Sequence, residues 1–160
     1  MSFVKKGSTV ISFATVEDVV QADQRIFDQN EGLTDDVIEA SVIRATERIL
    51  TKLKDTTWWK DQNAGSSPVP SLNPSLIINR KNDFTDLCIY EALAYYILPS
   101  VADFDNEQQS ERNKMSYYQQ KASTMFIELV QSGDFYDFDG DGVIANTEIN
   151  GANTLRKRVR

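Results

Sequence analysis

Histidine is missing from all 160 positions. That absence excludes Ser-His-Asp and Cys-His nucleophile pairs and every histidine-containing zinc site. Acid–base work would fall to carboxylates, lysine or tyrosine. Cysteine occurs once, as Cys88, so an internal disulfide is excluded and a reducing compartment fits. Cys88 lies in an apolar stretch with no basic neighbour, and reads as a small buried hydrophobe. No run is long and apolar enough to cross a membrane. The basic start, Met1 to Lys6, lacks a following signal-peptide core, so secretion is not expected.

Positive charge is also scarce. Lysine and arginine number 17 against 24 acids, for a net charge of −7. A chain that grips nucleic acid needs a basic surface, so that class is disfavoured. The exception is the last five residues, Arg156-Lys157-Arg158-Val159-Arg160, which carry four positive charges and no negative one. An acidic body with a basic tip is dipolar, and the tip of one copy can meet the body of another. The alternation through Thr154 and Leu155 to Arg160 reads as an extended arm that docks on another chain.

Hydrophobic residues make up 41% of the chain, enough for the core of one domain. Ser8 to Phe13 is β-prone and predicts a short strand or an extended arm. Thr15 with Asp18 three residues on predicts a capped helix ending near Asn30 and Gly32. Thr34-Asp35-Asp36 opens a second helix, with Ile38, Val42, Ala45, Ile49 and Leu53 on one face and Lys52 and Lys54 in its last turn. Trp58 and Trp59 follow, placed to pack on the helix end or meet a neighbouring subunit.

From Asp61 to Asn82 there is no helical period. Pro, Gly and Ser mark a long loop suited to reaching a partner, with Leu76-Ile77-Ile78 as its one candidate strand. Asp83 or Thr85 starts a third helix, nearly all apolar from Leu87 to Leu98 except Glu91, which Pro99 stops. A fourth starts at Asp105 or Asn106, carries Met115, Tyr118, Ala122, Met125 and Leu129 at heptad spacing, and ends at Gly133. The expected fold is all-α: about four helices as a bundle, a long central loop, an extended N-terminal segment and an extended C-terminal arm. A helical region over 1–133 precedes an acidic loop and basic arm over 134–160.

Asp137-Phe138-Asp139-Gly140-Asp141-Gly142-Val143 through Glu148 fits the EF-hand pattern D-x-D-x-D-G-x5-E without a mismatch. Calcium takes hard oxygen ligands. Asp137, Asp139 and Asp141 would supply three, the Val143 carbonyl a fourth, and Glu148 would close the site bidentately while Gly142 permits the turn. The loop is single, whereas EF-hands pair, and Asn150-Gly151 interrupts the exiting helix. No Met-rich groove or second hand is present to make a switch. A structural calcium ion is therefore the cofactor expected.

Three stretches stand together: Thr15 to Lys54 closed by Trp58-Trp59; Asn79-Arg80-Lys81-Asn82-Asp83-Phe84-Thr85-Asp86-Leu87 running into Cys88-Ile89-Tyr90-Glu91-Ala92-Leu93; and Tyr136 to Gly142 before the basic terminus. In this order and spacing they resemble the head–tail connector (adaptor or head-completion) proteins of tailed bacteriophages. The resemblance implies a non-enzymatic virion subunit of the phage neck, assembled in the host cytoplasm as a dodecameric ring beneath the portal. Its partners would be sibling copies, the portal protein, and the tail or next neck protein, with DNA only passing through the lumen. Leu155, Arg156, Lys157, Arg158, Val159 and Arg160, together with Trp58 and Trp59, are the partner-binding residues expected. Three readings compete. A single EF-hand interaction module would fold calcium-dependently. A metal-dependent hydrolase on Asp137, Asp139 and Asp141 would need a basic substrate groove. A DNA-binding helical protein is opposed by the acidic balance.

Overall fold

The computed structural model describes residues 3–102 and 110–149. Within them the chain is mainly helical, with one two-stranded sheet. Val4–Lys6 (β1) and Thr9–Ser12 (β2) pair antiparallel, Lys5 opposite Val10 and Lys6 opposite Thr9. Gly7 sits in the reversal at φ 65, a conformation that glycine adopts without steric cost. The β-prone N-terminal stretch is thus the second strand of a hairpin. Its partner was hidden because Val4-Lys5-Lys6 is short and charged, as suits an edge strand.

Thr15 caps Val16–Ala22 (α1) through a reciprocal box: its hydroxyl accepts the Asp18 N–H, and the Asp18 carboxylate accepts the Thr15 N–H. The single helix expected here is broken at Asp23, φ −151, and resumes as Gln24–Gln29 (α2). The Asp23 carboxylate accepts from Lys114 Nζ at 2.8 Å and from the Tyr118 hydroxyl at 2.9 Å, both on a distant helix. Desolvation and that carboxylate push the Tyr118 phenol above its ordinary value.

Asp35–Lys54 (α3) follows its sequence signals closely. Thr34 caps it, acids open it, and Lys52 and Lys54 end it. Ile38, Val42, Ala45, Ile49 and Leu53 are all buried. Thr56 caps Thr57–Gln62 (α4), which carries the tryptophan pair. The loop beyond it contains one 3-10 turn, Pro74–Leu76. The expected strand reduces to a single bridge between Ile77 and Tyr136. Leu72 and Ile77 are buried, so part of this loop packs inward instead of reaching out.

Lys81–Ala92 (α5) begins earlier than either expected cap, with Arg80 before it in the left-handed region at φ 58. Arg80 is held there by Asp83, three residues on, and by Asp134 and Ser132, and no local sequence rule reveals the last two. Pro99 does not stop this helix. A π-helical segment, Leu93–Ile97, intervenes, and Leu98–Val101 (α6) carries the proline in its first turn. There the Leu98 N–H reaches the Leu93 carbonyl five residues back, a wider turn that suits the approach to a residue lacking an N–H.

Ser110–Ser132 (α7) buries Tyr118, Ala122 and Leu129, with Met115, Met125, Phe126 and Val130 partly covered. Its expected start at Asp105 or Asn106 lies outside the described residues. α5 packs against both α3 and α7. Cys88 is fully buried among them, its thiol 3.4 Å from Thr46 Oγ1. Burial pushes that thiol up to about 11. Packing also crosses the boundary expected after Gly133, because Phe135 and Tyr136 are buried in the same core. Asn146–Ile149 (α8) is the last described element.

Glu91 is the one carboxylate in the apolar stretch of α5, and its side chain is 0% exposed. It pairs with Arg48 at 3.0 Å and Lys52 at 2.9 Å across the α3–α5 contact. Removing one partner of a buried pair typically costs 3–5 kcal/mol. Both cations here reach solvent, at 40% and 34% exposure, which lowers the expected loss. Glu91→Ala should cost about 2 kcal/mol, read as a lower melting temperature with native helicity retained at 20 °C by circular dichroism.

Candidate metal centre

The acidic loop is built on an aromatic floor. Phe135, Tyr136 and Phe138 follow the α7 terminus, where Gly133 has φ 59. A Cβ at Gly133 would stand 3.3 Å from Trp58 Nε1, so the turn needs glycine for both backbone and space. Trp58 then lies 4.9 Å from Phe135 and 5.6 Å from Phe138 between ring centroids. Trp59 stacks on Phe138 at 5.6 Å and meets Tyr136 edge-on at 5.2 Å. Trp59 Nε1 donates to the Pro70 carbonyl at 2.7 Å, and the Tyr136 hydroxyl accepts the Asn73 N–H at 3.1 Å. The central loop therefore closes over these rings.

The tryptophans expected at a subunit contact are only 8% and 3% exposed. Their faces lie against Phe135, Tyr136 and Phe138, so the fold of the single chain already uses most of the surface that the expectation gave to a partner. The arm residues Leu155, Arg156, Lys157, Arg158, Val159 and Arg160 lie outside the described residues.

Above the floor, one carboxylate oxygen each from Asp137, Asp139 and Asp141 falls within 4.8 Å of the others. Two oxygens on opposite sides of a calcium ion stand about 4.8 Å apart, so the spacing and the all-oxygen chemistry fit that ion. Asp137 is buried while Asp139 and Asp141 are exposed. Burial alone would raise the Asp137 carboxyl, but the Gly142 and Gly140 N–H groups, each at 2.8 Å, hold it below the usual range. Asp139 is displaced upward. The Asp141 N–H opposes this, and desolvation, the Asp137 contact and the charges of Asp141 and Glu148 outweigh it. An electropositive ion would relieve that crowding of carboxylates.

Glu148 does not join the converging trio. The expected bidentate closure is replaced by backbone bonds: Oε1 accepts from Phe138 N at 2.7 Å and Asp139 N at 3.3 Å, and Oε2 accepts from Ala145 N at 2.6 Å. Glu148 is buried, so these N–H groups leave few lone pairs for anything else. Val143, the other expected ligand, is 65% exposed and its N–H donates to Asp141 at 2.8 Å. Sequence reasoning missed Gln62, whose side chain donates to the Glu148 carbonyl at 2.9 Å. It also missed the role of Phe135, Tyr136 and Phe138, although three aromatics beside an acidic motif were a visible signal.

Glu148 thus ties both ends of the loop together. Glu148→Ala leaves three backbone N–H groups without that acceptor. It should cost roughly 2 kcal/mol and shift the tryptophan emission toward the red, measured by fluorescence-detected urea unfolding. Comparison with protein-family models, curated proteins and solved structures returned no match.

Proposed function

We propose that this chain is a structural subunit of the tailed-bacteriophage neck, a head–tail connector that assembles as a ring between portal and tail and extends the DNA channel. In this reading α1, α3, α5 with its continuation to α6, and α7 act as a four-helix bundle forming a stiff wedge. The observation that carries it is the meeting of the three resembling stretches. Trp58 from the first and Phe84 from the second both pack on Phe135 beside the third, tilted at 4.9 Å and edge-on at 5.0 Å. A ring subunit transmits load between neighbours, and a core that locks its distant segments together suits that task. The acidic balance suits a lumen that DNA traverses without being held. The basic segment 155–160 would reach the portal or an adjacent copy. The chain performs no catalysis in this reading.

Imaging of intact particles with a tag on this chain tests the assignment. Density at the neck is the expected result, and label confined to the capsid shell or tail tip would remove it.

A second reading, a calcium-binding interaction module, is favoured by the convergence of Asp137, Asp139 and Asp141. The two readings combine if calcium only stiffens the loop. Calorimetric titration should then give one site per chain with a millimolar Kd, as for extracellular-type modules, and no change in far-ultraviolet circular dichroism. Loss of all binding in Asp139→Asn with Asp141→Asn would locate the site. A heatless titration of the unaltered chain would remove the calcium reading.

A further inference from the structure

The outward face of α3 carries a pattern that its own fold leaves unused. Val37 is 41% exposed, and Ala40, Arg44, Glu47 and Thr51 are exposed, with Lys54 half-buried at the end. These six recur at alternating intervals of three and four, the spacing of a helix–helix seam. Glu39 falls to one side, at the groove beneath the hairpin.

Arg44 and Glu47 are three residues apart on this face, where opposite charges ordinarily pair. They do not pair here. Arg44 lies over the Tyr96 ring at 4.5 Å, and among the described residues no ion pair includes Arg44 or Glu47. The ring holds the guanidinium in place while leaving its N–H edge open to a carboxylate.

We propose that this face binds the same face of a second copy, with the two α3 helices antiparallel about a two-fold axis between Arg44 and Glu47. The charge pattern is self-complementary under that operation. Arg44 of each copy meets Glu47 of the other, giving two symmetric ion pairs at the centre. Ala40 opposes Thr51, and both are small enough for close approach of the backbones. Val37 at each end is covered by the aliphatic stem of Lys54 from the second copy. The seam is about five turns long, so the contact is small, weak and salt-sensitive. This inference does not rest on the neck reading: an isologous contact cannot join neighbours in a ring whose copies all point one way, so the dimer would form outside such a ring, and either reading can fail alone.

Sedimentation velocity of the full chain at low ionic strength tests it. The unaltered protein should be dimeric at roughly 200 µM, a concentration suited to a small interface, and should dissociate as salt is raised. Arg44→Glu and Glu47→Arg should each weaken dimerisation at least about tenfold by opposing like charges. The double reversal should restore it, because the two-fold then pairs the exchanged charges again. As a check independent of Arg44 packing, a chain with Ala40→Cys and Thr51→Cys should cross-link to a dimer on mild oxidation. The two positions are about 16 Å apart along one helix and cannot bond internally, and Cys88 is buried. Each single cysteine variant should stay uncross-linked. A monomer under all these conditions would overturn the proposal. So would a folded double reversal that fails to restore the dimer, or an oligomer that the single reversals leave unchanged.

Discussion

A continuous column of aromatic rings organises this chain. Phe3 meets Phe13 at 4.7 Å, Phe13 meets Phe84 at 5.3 Å, Phe84 meets Phe135 at 5.0 Å, and Phe135 meets Trp58 at 4.9 Å. Trp59, Tyr136 and Phe138 extend it to the acidic loop. The column visits the hairpin, α5, the segment after α7, and α4, so it joins parts of the sequence that no local interaction connects. Each ring pair contributes about 1 kcal/mol beyond the area it buries. The larger effect is geometric, because a ring wedged between two others fixes the elements that carry all three.

The acidic loop inherits its position from this column. Tyr136 and Phe138 flank Asp137 and are held by the tryptophans, so the first carboxylate is placed by packing before any ion is considered. Backbone N–H groups then do for Asp137 and Glu148 part of what a cation would do. With both tryptophans inside, the face proposed for a second copy is the outward side of α3, where Arg44 and Glu47 enter no ion pair among the described residues.

Much of the helical plan was legible because its signals are local. The Thr15 box, the Thr34 cap and the run Ile38, Val42, Ala45, Ile49 and Leu53 each depend on residues within a few turns of one another. The acidic motif was legible for the same reason, since Asp137, Asp139 and Asp141 lie within five residues of one another and converge. The errors share the opposite cause. Asp23 breaks the first helix because Lys114 and Tyr118 draw its carboxylate aside. Arg80 advances the third helix because Asp134 and Ser132 hold it. Glu148 turns from the trio because Phe138, Asp139 and Ala145 present N–H groups to it. Each partner is remote in sequence or defined only once the backbone has turned.

The sequence alone determined a mainly helical chain without histidine chemistry, the extent of α3, the burial of Cys88 and the location of the acidic loop. Tertiary structure decided that Trp58 and Trp59 face inward, that a π turn carries the chain past Pro99, and that Glu91 is matched by Arg48 and Lys52. Periodicity and capping act over one or two helical turns and can be read along a line. Aromatic packing and buried charge pairing depend on which distant segments share a space, and only the folded chain settles that.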